Sequence, residues 1–119
     1  ACGDRRVVPS RGTRGARGEV YRGRLDPTVG SGIRKTRPGV VVSPDELNAH
    51  LRTVLIAPMT TGGQAYPWRV SCRFQSRSGY VALDQLRTVD RDRLVARVVR
   101  LAPSTFAHVL AVLQEMFED

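Results

Sequence analysis

Apolar residues along this chain fall into six short runs and one longer periodic stretch. The segment 18–25 alternates around Val20 and Tyr21 and predicts a strand. Val40-Val41-Val42 is a β-branched run, long enough for a buried strand and too short for a helix. Thr53 to Met59 reads as another apolar strand. Trp68 to Phe74 alternates apolar and polar, Tyr80 to Leu83 is short and apolar, and Ser76 to Gly79 between them predicts a hairpin turn. Leu94 to Leu101 carries β-branched pairs and predicts a further strand. The period then changes. Phe106, Val109, Leu110, Leu113, Met116 and Phe117 share one face at helical spacing, with Ser104 as the expected N-cap. A brief helix is also expected as far as His50. It starts at Ser43-Pro44-Asp45-Glu46, which offers a capping serine, a first-turn proline and acids suited to the helix dipole.

Between these runs lie turn-rich segments. Asp26-Pro27-Thr28 and Gly30-Ser31-Gly32 form one loop ending at Thr36, and Thr60-Thr61-Gly62-Gly63 reads as a flexible loop closed by Tyr66-Pro67. Residues 1–16 are rich in Gly, Arg and Ser and lack a hydrophobic period, so they are expected to form a disordered basic arm. A single folded domain is expected over 17–119, since 119 residues fit one core and leave no room for two. Several short strands with one terminal helix suggest a mainly β fold, a small half-open barrel with helices packed on it. There is no internal repeat.

Composition narrows the classes. Hydrophobic residues make up 41% and charged residues 25%, an ordinary globular balance. No run reaches the roughly 20 apolar residues that span a bilayer. No apolar stretch follows the arginine-rich start, which argues against a secretory signal. Cys2 and Cys72 are too few for a disulfide scaffold and have no metal-ligand spacing around them. The expectation is a soluble, cytoplasmic domain with no metal and no other cofactor. The net charge of +8 then points to a partner, because of the nineteen basic residues only Lys35 is a lysine. Arginine meets phosphate with a planar, bidentate fork, so an anionic polymer, first of all nucleic acid, is indicated. A high-GC genome would account for arginine over lysine but not for the excess over acids.

Several segments carry a resemblance when taken in order. They are Arg17-Gly18-Glu19-Val20-Tyr21, Leu25-Asp26-Pro27-Thr28, Gly30-Ser31, Lys35-Thr36-Arg37-Pro38, Val40 to Pro44, Ala57-Pro58-Met59-Thr60-Thr61 and Leu83 to Asp90. In that order and at those gaps, from about Arg17 to the C-terminus, the chain resembles the MazF/PemK toxin family. The resemblance implies an SH3-like barrel (PemK-like), a homodimer, and a ribosome-independent endoribonuclease of a type II toxin–antitoxin pair. It further implies metal-independent cleavage of single-stranded RNA at short sequences, leaving a 2′,3′-cyclic phosphate and a 5′-hydroxyl. The implied partner is an acidic, MazE-like antitoxin whose tail blocks the RNA groove.

Metal-free RNA cleavage must deprotonate a 2′-hydroxyl, stabilise extra charge on phosphorus and protonate the departing 5′-oxygen. Arg37 stands at the family's principal catalytic arginine, before a proline that restrains it towards extended backbone. Thr60 matches the family's catalytic threonine, and Thr61 is a stand-in. Gly32 departs from the pattern, because many relatives carry an acid there, a candidate general base, and here Gly30-Ser31-Gly32 has none. It is either a natural variation or an introduced substitution that disarms a toxin. Ser31 stands where some relatives have histidine. Asp84 aligns with an acid used catalytically in one branch, but Ala82 occupies the place of that branch's arginine. The favoured reading is therefore a buried carboxylate bonded to backbone and Arg87 in a turn from Asp84 to Thr88. Glu19 and Asp26 are expected to organise the loop before Arg37.

Candidate RNA contacts are Ser31, Arg34, Lys35, Tyr66, Arg69, Arg73 and Arg87. Among Trp68, Tyr66 and Phe74, which can stack on bases, Tyr66 is favoured for its place beside the glycine loop. Cys72 reads as a small buried hydrophobe. His50 and His108 lack a partner histidine at useful spacing. Leu110, Leu113 and Phe117 are candidates for a dimer interface that a monomer would simply bury. Two other readings remain: an RNA- and antitoxin-binding domain that no longer cuts, and a gyrase poison like the CcdB toxins. The second is disfavoured, since those depend on a C-terminal tryptophan and this chain ends Met116-Phe117-Glu118-Asp119.

Overall fold

The computed structural model describes residues 15–25 and 36–119. The strands are β1 (Glu19–Gly23), β2 (Arg37–Val41), β3 (Thr53–Thr61), β4 (Arg69–Phe74), β5 (Arg77–Ala82), β6 (Arg87–Asp90) and β7 (Leu94–Arg100). Helix α1 (Asp45–His50) lies between β2 and β3, and α2 (Pro103–Met116) closes the chain. Single 3-10 turns occupy Leu83–Gln85 and Arg91–Arg93. The sheet order is β4-β5-β3-β2-β1-β7, with β6 also on β3, and every pairing is antiparallel.

The nine-residue β3 organises this arrangement. It lends Thr53–Ile56 to β6 and Met59–Thr61 to β5, while Ile56 to Pro58 pair with β2. One strand thus joins two pairing systems, and the sheet curves into a mainly β, SH3-like barrel with a C-terminal helix.

Both faces of the central strands are buried, which is why Val40-Val41-Val42 is continuously apolar rather than alternating. On one face Val20, Val40, Met59, Val70 and Val81 pack with Val109 and Val112 of α2. On the other, Tyr21, Val41, Val54, Ile56, Val89 and Leu94 fill the barrel interior. Among the described residues no helix is long and apolar enough to cross a membrane.

Several local expectations are corrected. Ser43 does not cap α1; Pro44 is at the cap position and Ser43 Oγ instead donates to Asn48 Oδ1 (2.6 Å) and accepts from the Leu55 amide (3.1 Å). That buried pair fastens the α1 segment to β3. Ser104 is inside α2, whose cap is Ala102 with Pro103 in the first turn. The buried side of α2 includes Val112, whereas Met116 and Phe117 are exposed. The β4–β5 turn is Gln75-Ser76 rather than Ser76 to Gly79, with both residues at positive φ (52° and 62°) and Phe74 paired to Arg77. Arg87 to Asp90, expected to begin within a turn, is strand β6.

At the N-terminal end, Gly15 and Ala16 are tied to the fold rather than to the arm. The Gly15 amide donates to the Tyr21 hydroxyl (2.9 Å) and the Glu19 amide donates to Ala16 O (3.1 Å). The rest of the expected arm, residues 1–14, and the loop 26–35 lie outside the described residues.

Candidate active site

Strand register assembles the candidate residues. β2 and β3 pair Gly39 with Pro58, and continuing that antiparallel register by two residues sets Arg37 opposite Thr60. Thr60 pairs with Tyr80 on β5, and Tyr80 pairs with Ser71 on β4. Thr60, Tyr80 and Ser71 are therefore paired neighbours in one row across β3, β5 and β4, with Cβ atoms roughly 5 Å apart, and Arg37 extends that row onto β2 two residues past its last pair with β3. Side chains alternate along a strand, so the next row, with Met59, Val81 and Val70 buried against the α2 core, faces the opposite way. The polar row continues the barrel-interior face past Val41 and Ile56, where the apolar filling ends.

Glycines shape the surroundings. A Cβ on Gly79 would stand 1.8 Å from Thr60 O, so only glycine lets β5 approach β3 at this point. Gly62 and Gly63 turn the chain out of β3 at φ of 76° and 95°, conformations that favour glycine. Thr60 Oγ1 donates to Gly62 O (3.4 Å), linking the strand end to that turn. Between this turn and the β4–β5 hairpin lies an open groove of about 360 Å³, lined by Gly62, Gly63, Ser71, Cys72, Arg73, Ser78, Gly79 and Tyr80.

The expected site residues divide into those the sheet brings together and those it does not. Arg37 is exposed and Thr60 half-buried in the same row. Thr60 and Thr61 belong to β3 itself, not to a loop. Alternation sends Thr61 to the opposite face from Thr60, so Thr60 is the threonine that shares a row with Arg37. Arg73 follows Ser71 by two residues on the exposed edge of the groove. Gly32, Ser31, Arg34, Lys35 and Asp26 lie outside the described residues.

Arg69 occupies the same face of β4 but is engaged. Its Nε and Nη2 donate to the two carboxylate oxygens of Asp84, each at 3.0 Å. Asp84 thus corrects the expectation: it lies at the surface and pairs with Arg69, and is not buried against Arg87. That hydrogen bond holds the Asp84 carboxyl below its usual range. Arg87 instead donates through Nη1 to Leu25 O (2.6 Å) and through Nε to Gln85 O (3.3 Å), fastening the residue that precedes the 26–35 segment.

Glu19 is almost buried and ties β1 to β7, accepting from the Tyr21 hydroxyl (2.7 Å) and pairing with Arg97 (2.8 Å) and Arg100 (3.7 Å). The expected role of Glu19 in the loop before Arg37 falls on residues 26–35, outside the described residues. Tyr66 stacks on Trp68 with ring centroids 5.0 Å apart. Phe74 and Cys72 are half-buried against the core, and burial pushes the Cys72 thiol pKa up. His50 and His108 are exposed.

Sequence reasoning missed Ser71, Tyr80 and Gly79. Ser71 is visible as the middle of the polar positions Arg69, Ser71 and Arg73 on an alternating strand. Tyr80 and Gly79 enter only through the register with β3, which no local pattern encodes.

This arrangement has relatives. The family model of the PemK-like, MazF-like toxin of type II toxin–antitoxin systems matches residues 16–117. The endoribonuclease toxin MazF of Escherichia coli (strain K12) is 38% identical over 65 residues, covering 55% of this chain and 59% of that protein. Endoribonuclease EndoA of Bacillus subtilis (strain 168) is 31% identical over 104 residues, covering 82% of this chain and 90% of that protein. A solved endoribonuclease in complex with its cognate antitoxin, from a Mycobacterial species, superposes with a TM-score of 0.70 at 28% identity over 84% of this chain and 91% of its own. With matched residues spanning nearly every described element, from the turn before β1 to the end of α2, the chain belongs to the PemK-like, MazF-like toxin family of type II toxin–antitoxin systems.

Proposed function

We propose that this chain is a metal-independent endoribonuclease that cleaves single-stranded RNA on the polar row Arg37–Thr60–Tyr80–Ser71. The observation that supports the reading is the β2–β3 register: carried two residues past the Gly39–Pro58 pair, it brings Arg37 and Thr60 to the open end of the barrel-interior face, on the side of the sheet away from α2. In the reaction the 2′-hydroxyl of a bound nucleotide attacks its own 3′-phosphate. The bond from phosphorus to the 5′-oxygen breaks as that oxygen takes up a proton in place of the one lost from the 2′-hydroxyl, exchanged through solvent, giving a 2′,3′-cyclic phosphate and a 5′-hydroxyl. Arg37 meets the phosphate with its guanidinium and stabilises the charge that builds there. The hydroxyls of Thr60 and Tyr80 donate to non-bridging oxygens, and Arg73 lies along the strand to hold a neighbouring phosphate. As a toxin this chain pairs with an acidic, MazE-like antitoxin, which opposes its own positive charge, and acts in the cytoplasm as a homodimer.

A second reading rests on Gly32, which supplies no carboxylate where the resemblance implies one. In that reading the row binds RNA and the antitoxin but does not cut, for want of a group to take the 2′ proton. The test is digestion of a long mixed-sequence RNA in EDTA, with fragment ends mapped. Cleavage at a short recurring sequence with cyclic phosphate ends supports the nuclease. Silence in the parent with cutting in Gly32→Glu supports the binding-only form. Silence in both sinks the nuclease reading for this chain.

A further inference from the structure

The aromatic pair at the start of β4 stands out from the other exposed apolar residues. Tyr66 and Trp68 are 39% and 37% exposed, yet their rings lie parallel within 6° at 5.0 Å between centroids. A turn fixes this geometry: the Arg69 amide donates to Tyr66 O (3.0 Å), with Pro67 at the position that presets φ. The pair is further held by its neighbours. The Tyr66 hydroxyl donates to Gln64 Oε1 (2.6 Å), and the Arg69 guanidinium, itself fixed by Asp84, lies over the Tyr66 ring at 5.5 Å. Tyr66 is thus covered by two groups. Among the described residues, Tyr66 is the one aromatic ring stacked on Trp68.

We infer that Trp68 is a nucleobase-stacking platform, and Tyr66 the ring that braces it, for RNA entering the polar row. Three observations converge. The rings are held parallel in advance, so stacking a planar ligand costs little further side-chain entropy. The surroundings are polar and charged (Gln64, Arg69, Asp84), not the contiguous apolar patch a protein partner covers. The platform also adjoins the exposed face of β4, where Arg69 precedes Ser71 by two residues, about 7 Å along a strand. A base on Trp68 would leave its backbone running towards Ser71 and Arg73. Bases of every kind have a π face, so the platform adds affinity with little sequence preference. The inference rests on the polar row being an RNA site.

Trp68 is the only tryptophan, so its own fluorescence reports the contact. The probe is a mixed-sequence 2′-O-methyl oligonucleotide of roughly ten nucleotides, which keeps bases and phosphates but lacks the attacking hydroxyl. Expected is saturable quenching by this oligonucleotide and little by an abasic oligonucleotide of equal length and charge. By anisotropy of a labelled oligonucleotide, Trp68→Ala binds about 5- to 100-fold more weakly, and Trp68→Phe recovers most of the loss. In cleavage assays of an active form the Trp68→Ala defect falls on KM rather than kcat. Binding by anisotropy without quenching, or Trp68→Ala binding like the parent, overturns the platform and leaves the RNA site standing. Quenching by an acidic peptide and not by the oligonucleotide overturns it in favour of a protein surface. No binding of either oligonucleotide by anisotropy overturns both the platform and the RNA reading beneath it.

Discussion

At position 79 the sheet has room for a hydrogen and nothing larger. A methyl group there would meet the Thr60 carbonyl at 1.8 Å, against backbone that cannot swing aside as a side chain can. Gly79→Ala is expected to cost about 1–3 kcal/mol in urea denaturation and to displace Thr60 from its row. A stability like the parent's would show that β3 and β5 are not tightly apposed at this point. The Arg69–Asp84 pair makes a different prediction, one of pH. Its hydrogen bond lowers the Asp84 pKa in the folded chain. The pair's contribution is therefore present above the unfolded carboxylate value of about 4 and is lost as pH falls through the folded value. Because the pair lies at the surface with the Asp84 side chain 34% exposed, Asp84→Asn should cost only about 0.2–1 kcal/mol at pH 7, with no difference from the parent near pH 2. An equal deficit at both pH values contradicts the ion pair. Arg37 and Thr60 are legible in the sequence through the family motifs. The partner of Asp84 is not, since Arg69 lies fifteen positions away and is reached only across the β4–β5 pairing.

Elements with a strong period are the most readable. Alternation at 69–74 and helical spacing from Phe106 onward mark β4 and α2, because in each case one face must be buried. Segments whose structure is set by a distant partner are not readable in this way. Thr60-Thr61 looks like loop beside two glycines, yet it continues β3 because β5 hydrogen-bonds it. Arg87 to Asp90 has little apolar pattern and becomes strand by pairing with the start of β3. The β4–β5 hairpin is hard to place for a related reason: neither Gln75 nor Ser76 is the residue that two successive positive φ angles favour. The double substitution Gln75→Asn with Ser76→Gly should therefore raise stability by about 1 kcal/mol and raise the thermal midpoint. A lowered midpoint would contradict the two-residue turn.

For the molecule as a whole, the +8 charge and the placement of its arginines are separate facts. Charge by itself points to nucleic acid. It does not distinguish Arg37 and Arg73 on the polar face from Arg97 and Arg100, which are occupied with Glu19 on β1. Binding to a non-cleavable single strand should weaken linearly in log salt, with a slope of about −0.7 for each phosphate contacted. Arg73→Ala should make that slope shallower by about one such contact, and an unchanged slope removes Arg73 from the RNA path. The most direct test of the central claim is single-turnover RNA cleavage by Arg37→Ala beside Arg52→Ala, made in the parent or, if the parent is silent, in Gly32→Glu. Both changes remove one positive charge, but Arg52 precedes β3 at its far end from Thr60. Arg37→Ala is expected to lose about 10²–10³-fold in rate and Arg52→Ala nearly nothing. Equal rates for Arg37→Ala and its parent, or equal losses in the two variants, would contradict the central claim.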